Sequence, residues 1–454
     1  MGTKSTDQAL TETRGDPAPA GQHLYVGIDV GRRAHVVVSI AEPRMENGTW
    51  ERAPVHKVAT NGSGFRDLTR WLEKSGFDRE RIRIGIEPTG GWYAMTIASW
   101  LERHGYQVAW LQNWTLHERR QLAIGKQTKT DALDARLIAR ILYEHDHHGL
   151  QRTLMQRPPR SADGLRLLVR SRIRLVQQQT RYRLQLTVIE DALFPELKDF
   201  FKQSITCSSA RRLLEVFPTP ADVAAASAAE LHEVVVRQAR ASALAARLSD
   251  LQRAAATSAG LVDKVEPIIS VQRWLLGQLR NVDRELESVE EAIAAAIEAW
   301  PSREREILSS LPAMSVNRQA VLLATLGDIS GFKSDRQLRK LCGWYAEVKE
   351  SGSTVYKAHL GRSGNRMVRR EIFLWSLQVL APRHQPNAFR PYYERLRDRG
   401  MHGSVALGHL AGKLISVLYY CLRNDRLYDP IEHARALGIL KPDPGSAANA
   451  SQLT

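Results

Sequence analysis

Residues 24–41 read LYVGIDVGRRAHVVVSIA, and this stretch decides the fold. Leu24–Val30 and His35–Ala41 are runs of β-branched and apolar residues, and Gly31-Arg32-Arg33 between them has the makings of a hairpin turn. Moving outward, Phe65–Leu72 has helical spacing and Arg81–Glu87 (RIRIGIE) alternates with a period of two. Trp92–Arg103 is helical, Tyr106–Leu111 suits a short strand, and Thr130–Leu142 (TDALDARLIARIL) is helical again. A hairpin followed by strand–helix–strand units predicts a mixed α/β sheet with helices on its faces, over residues 23–155.

From residue 156 to residue 300 the β signal fades. Leu165–Leu193 and Ala241–Trp300 are rich in Leu, Ala, Arg, Gln and Glu, with apolar residues at intervals of three and four. That pattern predicts long amphipathic helices forming a coiled-coil arm, a spacer or an oligomer contact, interrupted at Pro218 and Pro220. Pro301 opens a third region, to residue 440. There Ile307–Leu326 reads as helix, tight turn, helix, with the turn at Leu311–Ser315; Gly331–Gly364 is mixed and basic; Met367–Leu380 and Ser404–Leu422 are helical. The tails 1–22 and 441–454, rich in Pro, Gly, Ala and Ser, are expected to be disordered. The expected class is α/β plus α.

The 454 residues carry 64 Lys and Arg against 49 Asp and Glu, a formal charge of +15. Fifty of those cations are Arg, whose planar fork binds phosphate two-pronged, so the excess favours a nucleic-acid partner. A genome rich in Arg codons would give the same bias. Cys207, Cys342 and Cys421 are too scattered for a disulfide framework or a zinc ribbon. The first 20 residues lack the apolar core of a signal peptide, and Ala406–Leu422 is broken by His409 and Lys413. These features lead us to expect a soluble protein of the reducing cytoplasm.

Asp29 closes the apolar run VGIDVG, and Glu87 closes IGIEPTGG. Carboxylates at strand ends sit where ligands bind in open α/β sheets. Asp131 and Asp134 lie three apart in KTDALDARLIA, which on a helix puts both on one face. If that helix crosses the ends of the two strands, four carboxylates converge, and their repulsion demands cations. A pair of Mg²⁺ ions, which prefer oxygen ligands, could then clamp a phosphodiester. Taken singly, each feature has a plainer reading: a turn or N-cap aspartate, a solvated acidic helix face.

The run GIDVG, then IEPTGG, then KTDALDARLIA resembles the ribonuclease-H-like, resolvase-type domain of the DEDD transposases of the insertion-sequence-110 family. Gly125-Lys126 fits the usual approach to the helix, and the resemblance extends from about residue 23 to residue 430. GIDVG alone would not carry it, since sugar-kinase-like ATPases share that run. The family's acidic tetrad falls on Asp29, Glu87, Asp131 and Asp134.

The third region contains KESGSTVYKAHLGRSGNRMVRRE. Gly361, Gly364 and Asn365 suggest a turn that backbone phosphate can approach, and Arg366, Arg369 and Arg370 open a helix behind it. With Lys357 and Arg362, these form the expected nucleic-acid contacts; a solvated basic helix would look the same. Ser351, beside Gly352, is by itself one serine among many. In the family a Ser-Gly pair upstream of a Gly-Asn-Arg turn supplies the nucleophile. The match here is Ser351, with Ser353 the nearest competitor. The resemblance also implies a phosphoserine link to DNA, Mg²⁺, a homo-oligomer, double-stranded DNA and an element-encoded structured guide RNA. The helix–turn–helix at Ile307–Leu326 is similar to a helix–hairpin–helix DNA-backbone element, with Ala313 and Ser315 where glycines are usual, a departure that makes packing alone an equal reading.

His145, Asp146, His147 and His148 have metal-ligand chemistry but, being consecutive, read as a polar helix end. The aromatic residues at 92, 93, 344 and 345 could stack on bases or fill a core. The expected function is a transposase or recombinase of a prokaryotic mobile element, acting at the nucleoid. The rivals are a Holliday-junction-resolvase-like endonuclease using water, a sugar-kinase-like ATPase, and a non-catalytic nucleic-acid-binding protein.

Overall fold

The computed structural model describes residues 21–88, 92–111, 116, 119, 130–149, 161–201, 205–236, 245, 247–327, 329–347, 350–351, 354–355, 359–361 and 364–440. The chain divides into two compact units, Met1–Arg157 and Pro158–Thr454. Of the tails expected to be disordered, residues 1–20 and 441–454 lie outside the described residues.

In the first unit β1 (Leu24–Asp29) pairs antiparallel with β2 (Ala34–Ala41), which pairs antiparallel with β3 (Val55–Ala59). β4 (Ile82–Ile86) and β5 (Gln107–Trp110) run parallel to β1 on its other side, giving the order β3-β2-β1-β4-β5. The helices are α1 (Glu42–Glu46), α2 (Gly62–Glu73), α3 (Tyr93–Arg103) and α4 (Asp131–His148). Leu24, Val26 and Ile28 enter one core with residues of α2 and α3, while Tyr25 enters another with residues of α4. A central strand covered on both faces reads as a continuous apolar run, which is why LYVGI shows little alternation. Its register is set by side-chain size: a one-residue slip would replace Gly27 under α4 with a branched residue.

The sequence reading did not include α1 or β3. β3 (VHKVA) is an edge strand with Lys57 exposed, so its apolar signal is thin. α4 runs past Leu142 to His148 and stops at Gly149, whose φ is +63°.

In the second unit α5 (Ser161–Leu193) is followed by α6 (Leu197–Phe200), α7 (Ser208–Val216), α8 (Pro220–Ala225), α9 (Ala228–Val235), α10 (Leu248–Ala256) and α11 (Glu266–Glu298). The 33-residue helices α5 and α11 run antiparallel. Arg172 pairs with Glu290 at 2.6 Å, Gln179 bonds Asp283 at 2.5 Å, and Gln272 bonds Glu190 at 2.7 Å. At one end of this pair the short helices share a core of Leu186, Phe194, Leu213, Leu251, Leu275 and Leu279. The expected continuous helix over Ala241–Trp300 is broken after Ala256. There Gly260 lies against the Leu193 carbonyl, where a Cβ would come to 1.9 Å, and Leu261 N–H donates to Ala192 O at 2.9 Å. That backbone contact seals the end of α5, and only glycine permits it.

At the other end of the pair, Leu165, Val169, Ile293 and Ile297 join the larger core of α12 (Ser302–Ser310), α13 (Val316–Leu326), α14 (Asp335–Leu341), α15 (Arg366–Val379), α16 (Phe389–Asp398), α17 (Gly403–Arg423) and α18 (Pro430–Ala436). The turn between α12 and α13 holds Ala313 at φ +58°, where a glycine would be unstrained. α13 is buried from Arg318 through Ala324, so this helix serves packing. α17 is long and apolar enough to cross a membrane, yet Leu410, Leu414 and Leu418 are buried in this core.

Candidate functional site

Gly27 of β1 and Gly85 of β4 are register partners on neighbouring strands. A Cβ on Gly27 would come to 1.9 Å from Ala135 O and 2.7 Å from Ala139 N; one on Gly85 would come to 2.8 Å from Ile138 and Leu142. The helix α4 therefore lies directly on the backbones of these two strands. Its C-terminal end is fixed at the start of the sheet. Arg83 grips Asp146 with two bonds of 3.0 and 3.2 Å, His147 meets Glu42 at 2.6 Å, and the Tyr25 hydroxyl lies 3.3 Å from His147 Nε2. The polar helix end expected at residues 145–148 is thus an anchor for α4.

Tyr25, Gly27 and Asp29 alternate onto one face of β1, and Arg83, Gly85 and Glu87 onto the same face of the sheet at β4. Since α4 crosses positions 25 and 83 with its last turns and 27 and 85 with its middle, it runs antiparallel to both strands. Its first turn, with Asp131 and Asp134, therefore points toward the end where Asp29 and Glu87 stand. The Thr130 side chain caps that turn, accepting from Leu133 N–H at 3.2 Å. Asp131 is exposed, Asp134 is buried, and Asp29 and Glu87 are half-buried.

All four donors are carboxylates, the set that hard divalent cations take. Among the described residues, no group of three or more His, Cys, Asp or Glu side chains stands close enough together to hold one ion. The fold brings the four acids to one end of the sheet without closing them into a ligand shell. Gly27 and Gly85 are the residues that the sequence reading passed over. An interior strand glycine signals close backbone approach, and both were visible in VGID and IGIE.

In the second unit β6 (Ala346–Glu347) pairs antiparallel with β9 (His359–Leu360), and β7 (Glu350–Ser351) pairs with β8 (Thr354–Val355) inside it. Ser351 is opposite Thr354, the last pair before the tip of this nested hairpin. Its competitor Ser353, and the expected contacts Lys357 and Arg362, lie outside the described residues. Gly361 packs on the Tyr345 ring, where a Cβ would come to 2.1 Å, and Gly364 (φ +111°) packs on Gly343. Gly361 thus makes room for an aromatic side chain and Gly364 for the chain's own backbone.

Asn365 caps α15, its side-chain oxygen accepting from Met367 and Val368 N–H at 3.0 and 3.3 Å. Arg369 donates to Gly361 O at 2.8 Å and lies over the Trp344 ring, while the Trp344 indole donates to Arg369 O at 3.1 Å. Asn365 and Arg369 thus brace the turn. Arg366 and Arg370, four apart on α15, are exposed. Trp344 is buried, whereas Trp92 and Tyr93 are 48% and 39% exposed.

The chain is similar to insertion-element proteins along nearly its whole length. A DEDD family profile described as transposase matches residues 26–195, and one described as transposase of the IS116/IS110/IS902 family matches residues 305–394. It is 30% identical over 426 residues to the IS110 insertion-element 43.6 kDa protein of Streptomyces coelicolor, covering 89% of this chain and 95% of that one. It is 27% identical to the IS116 insertion-element 44.8 kDa protein of Streptomyces clavuligerus, covering 90% and 96%. It is 21% identical to the pilin gene-inverting protein of Moraxella bovis, covering 90% and 98%.

Proposed function

Because this chain belongs to the IS110 family of insertion-element transposases, enzymes that recombine DNA, we propose that it cuts and rejoins double-stranded DNA through a phosphoserine intermediate. Its resolvase-type, ribonuclease-H-like unit would hold two Mg²⁺ ions on Asp29, Glu87, Asp131 and Asp134. Bound there, the ions would neutralise phosphate charge. The observation that carries this reading is the seating of α4 on Gly27 and Gly85, which directs its acidic first turn to the end of Asp29 and Glu87.

The Ser351 hydroxyl attacks the scissile phosphorus, a P–O bond to deoxyribose breaks, and the departing sugar oxygen takes a proton. The phosphoserine link keeps a diester's bond energy. A hydroxyl of the exchanged strand then attacks the same phosphorus and frees the serine, with no ATP consumed. Inversion, the activity named for the Moraxella relative, is an exchange of this conservative kind. Arg366 and Arg370 hold strand phosphates near the serine, with Lys357 and Arg362 as further contacts. The acids belong to the first unit and the serine to the second, and the protein acts as a homo-oligomer. A structured RNA that pairs with donor and target supplies sequence choice, leaving the protein to hold backbones. The enzyme works on nucleoid DNA in the cytoplasm.

The test is a denaturing gel after incubation with cognate DNA, RNA and Mg²⁺. The intact protein gives a protein–DNA adduct. Ser351→Ala gives no adduct yet still binds Mn²⁺, and Asp29→Asn with Glu87→Gln gives neither cutting nor adduct. Cutting that survives Ser351→Ala would assign the nucleophile to water.

A further inference from the structure

Two exposed elements border the acidic end of the first unit; the sequence singled out no role for one, and for the other it left base stacking and core packing both open. The first is the β1–β2 turn. Arg32 and Arg33 follow Asp29 by three and four residues, are exposed, and make no ion pair among the described residues. The turn beneath them is held firmly. Thr60 N–H donates to Arg33 O at 3.0 Å, and Thr60 Oγ1 donates to Gly31 O at 3.3 Å. His35 Nε2 lies 3.3 Å from the same hydroxyl, and its ring is fully buried and stacked on Phe65. With the Thr60 proton directed to Gly31, His35 must donate from Nε2, which leaves its Nδ1 bare; that atom has no partner. Gly31 is required as well, since a Cβ there would come to 2.1 Å from Ala34 O. Two arginines are thus displayed on a turn whose backbone is already held, so that on binding the ordering cost falls on their side chains.

The second element is the start of α3. The chain leaves β4 at Glu87 and enters α3 at Tyr93. Since β4 and β5 are parallel, α3 returns along the sheet and begins at the end where Asp29 and Glu87 stand. Trp92 and Tyr93 occupy this start and are 48% and 39% exposed, while Ala94, Ile97, Ala98 and Leu101 of the same helix are buried. Neither ring has a ring partner among the described residues.

Exposed cations beside exposed aromatic faces are what single-stranded nucleic acid requires: charge for the backbone, a flat apolar surface for an unstacked base. A closed duplex offers phosphates but no free base face. We propose that Arg32, Arg33, Trp92 and Tyr93 form a grip for an unpaired DNA strand at the acidic end, Arg32 and Arg33 binding its phosphates and Trp92 and Tyr93 stacking on its bases. The grip rests on the reading that DNA is cut at that end, and it adds that the strand is unpaired when held.

The test uses the full chain with a labelled single-stranded DNA of mixed sequence and the blunt duplex of the same sequence. Trp92→Ala with Tyr93→Ala weakens single-strand binding about fivefold or more, with a smaller loss on the duplex and an unchanged salt slope. Arg32→Ala with Arg33→Ala flattens the slope of log K against log salt on the single strand by about 1.4. The Phe pair and the Lys pair at the same positions retain wild-type behaviour and serve as folded references. Unchanged single-strand affinity in the aromatic variant, an equal loss on both probes, or an unchanged slope in the arginine variant overturns the grip. Asp29→Asn with Glu87→Gln separates the two readings. It binds both probes normally while cutting nothing, and cutting by it would refute the metal site and leave the grip standing.

Discussion

Glu190 shows how one buried residue sets a pH response. It is 1% exposed, and burial pushes its carboxyl up to about 7, with the Gln272 hydrogen bond opposing and Asp191 adding. Glu190 Oε2 and Gln272 Oε1 are both buried acceptors without a partner, and one proton on Glu190 supplies the missing donor. A raised folded value means the stabilisation is complete below the unfolded value and is lost as pH rises through about 7. Glu190→Gln is therefore expected to raise stability at pH ~8 by up to about 3 kcal/mol and to change little near pH ~5. Urea unfolding at the two pH values checks it; equal effects at both would be wrong for this mechanism. Cys342 and Cys421 are buried, their thiols pushed up to about 12, and take no part in such switching.

At the scale of elements, the decisive contact is α4 on β1 and β4. Gly27→Ala places a methyl at 1.9 Å from Ala135 O, a backbone atom that cannot rotate away. We expect a loss of about 1–3 kcal/mol from this overpacking, and a displaced helix that weakens Mn²⁺ binding while Ser351 is untouched. Gly85→Ala meets the side chains of Ile138 and Leu142, which can shift, so its effect should be smaller. Titration of Mn²⁺ with each variant compares them, and wild-type affinity in Gly27→Ala would show that the acids do not depend on the helix seat. Elements with strong periodicity were legible in the sequence: β1, β2, β4, α2, α3 and α4 fall where their patterns placed them, within a residue or two except at the start of α2, three residues early, and at the end of α4. β3 was not, because an edge strand with Lys57 exposed buries too little to show a pattern. The four acids were legible as strand and helix ends; the glycine seat that aligns them was not, because register between distant strands is invisible in one chain. At residues 307–326 the sequence left packing and phosphate gripping equally open, since an apolar helix reads alike whether it faces a partner or a core, and α13 is enclosed by its neighbours.

At the scale of the whole molecule, two units with separate cores should melt as separate transitions. Calorimetry of the full chain should show Gly27→Ala lowering one and Glu190→Gln moving the other. Acid should act on both units, through His35 in one and His433 in the other, each lowered to about 4 chiefly by burial: the stabilisation is present above the ordinary 6.5 and is lost as pH falls toward 4. A single transition moved by both substitutions would mean the units unfold together. Within the second unit, α5 and α11 have a mechanical property of their own. Each is 33 residues long, so the pair spans about 50 Å. Its near end is embedded among α12 to α18, and among the described residues its far end carries the small cluster of α6 to α10. Such a beam acts as a lever: a swing of about five degrees at the root sweeps the tip through about 4 Å. Arg172–Glu290 and Gln179–Asp283 are its cross-braces, keeping the two shafts from sliding so that a push at either end arrives at the other as displacement.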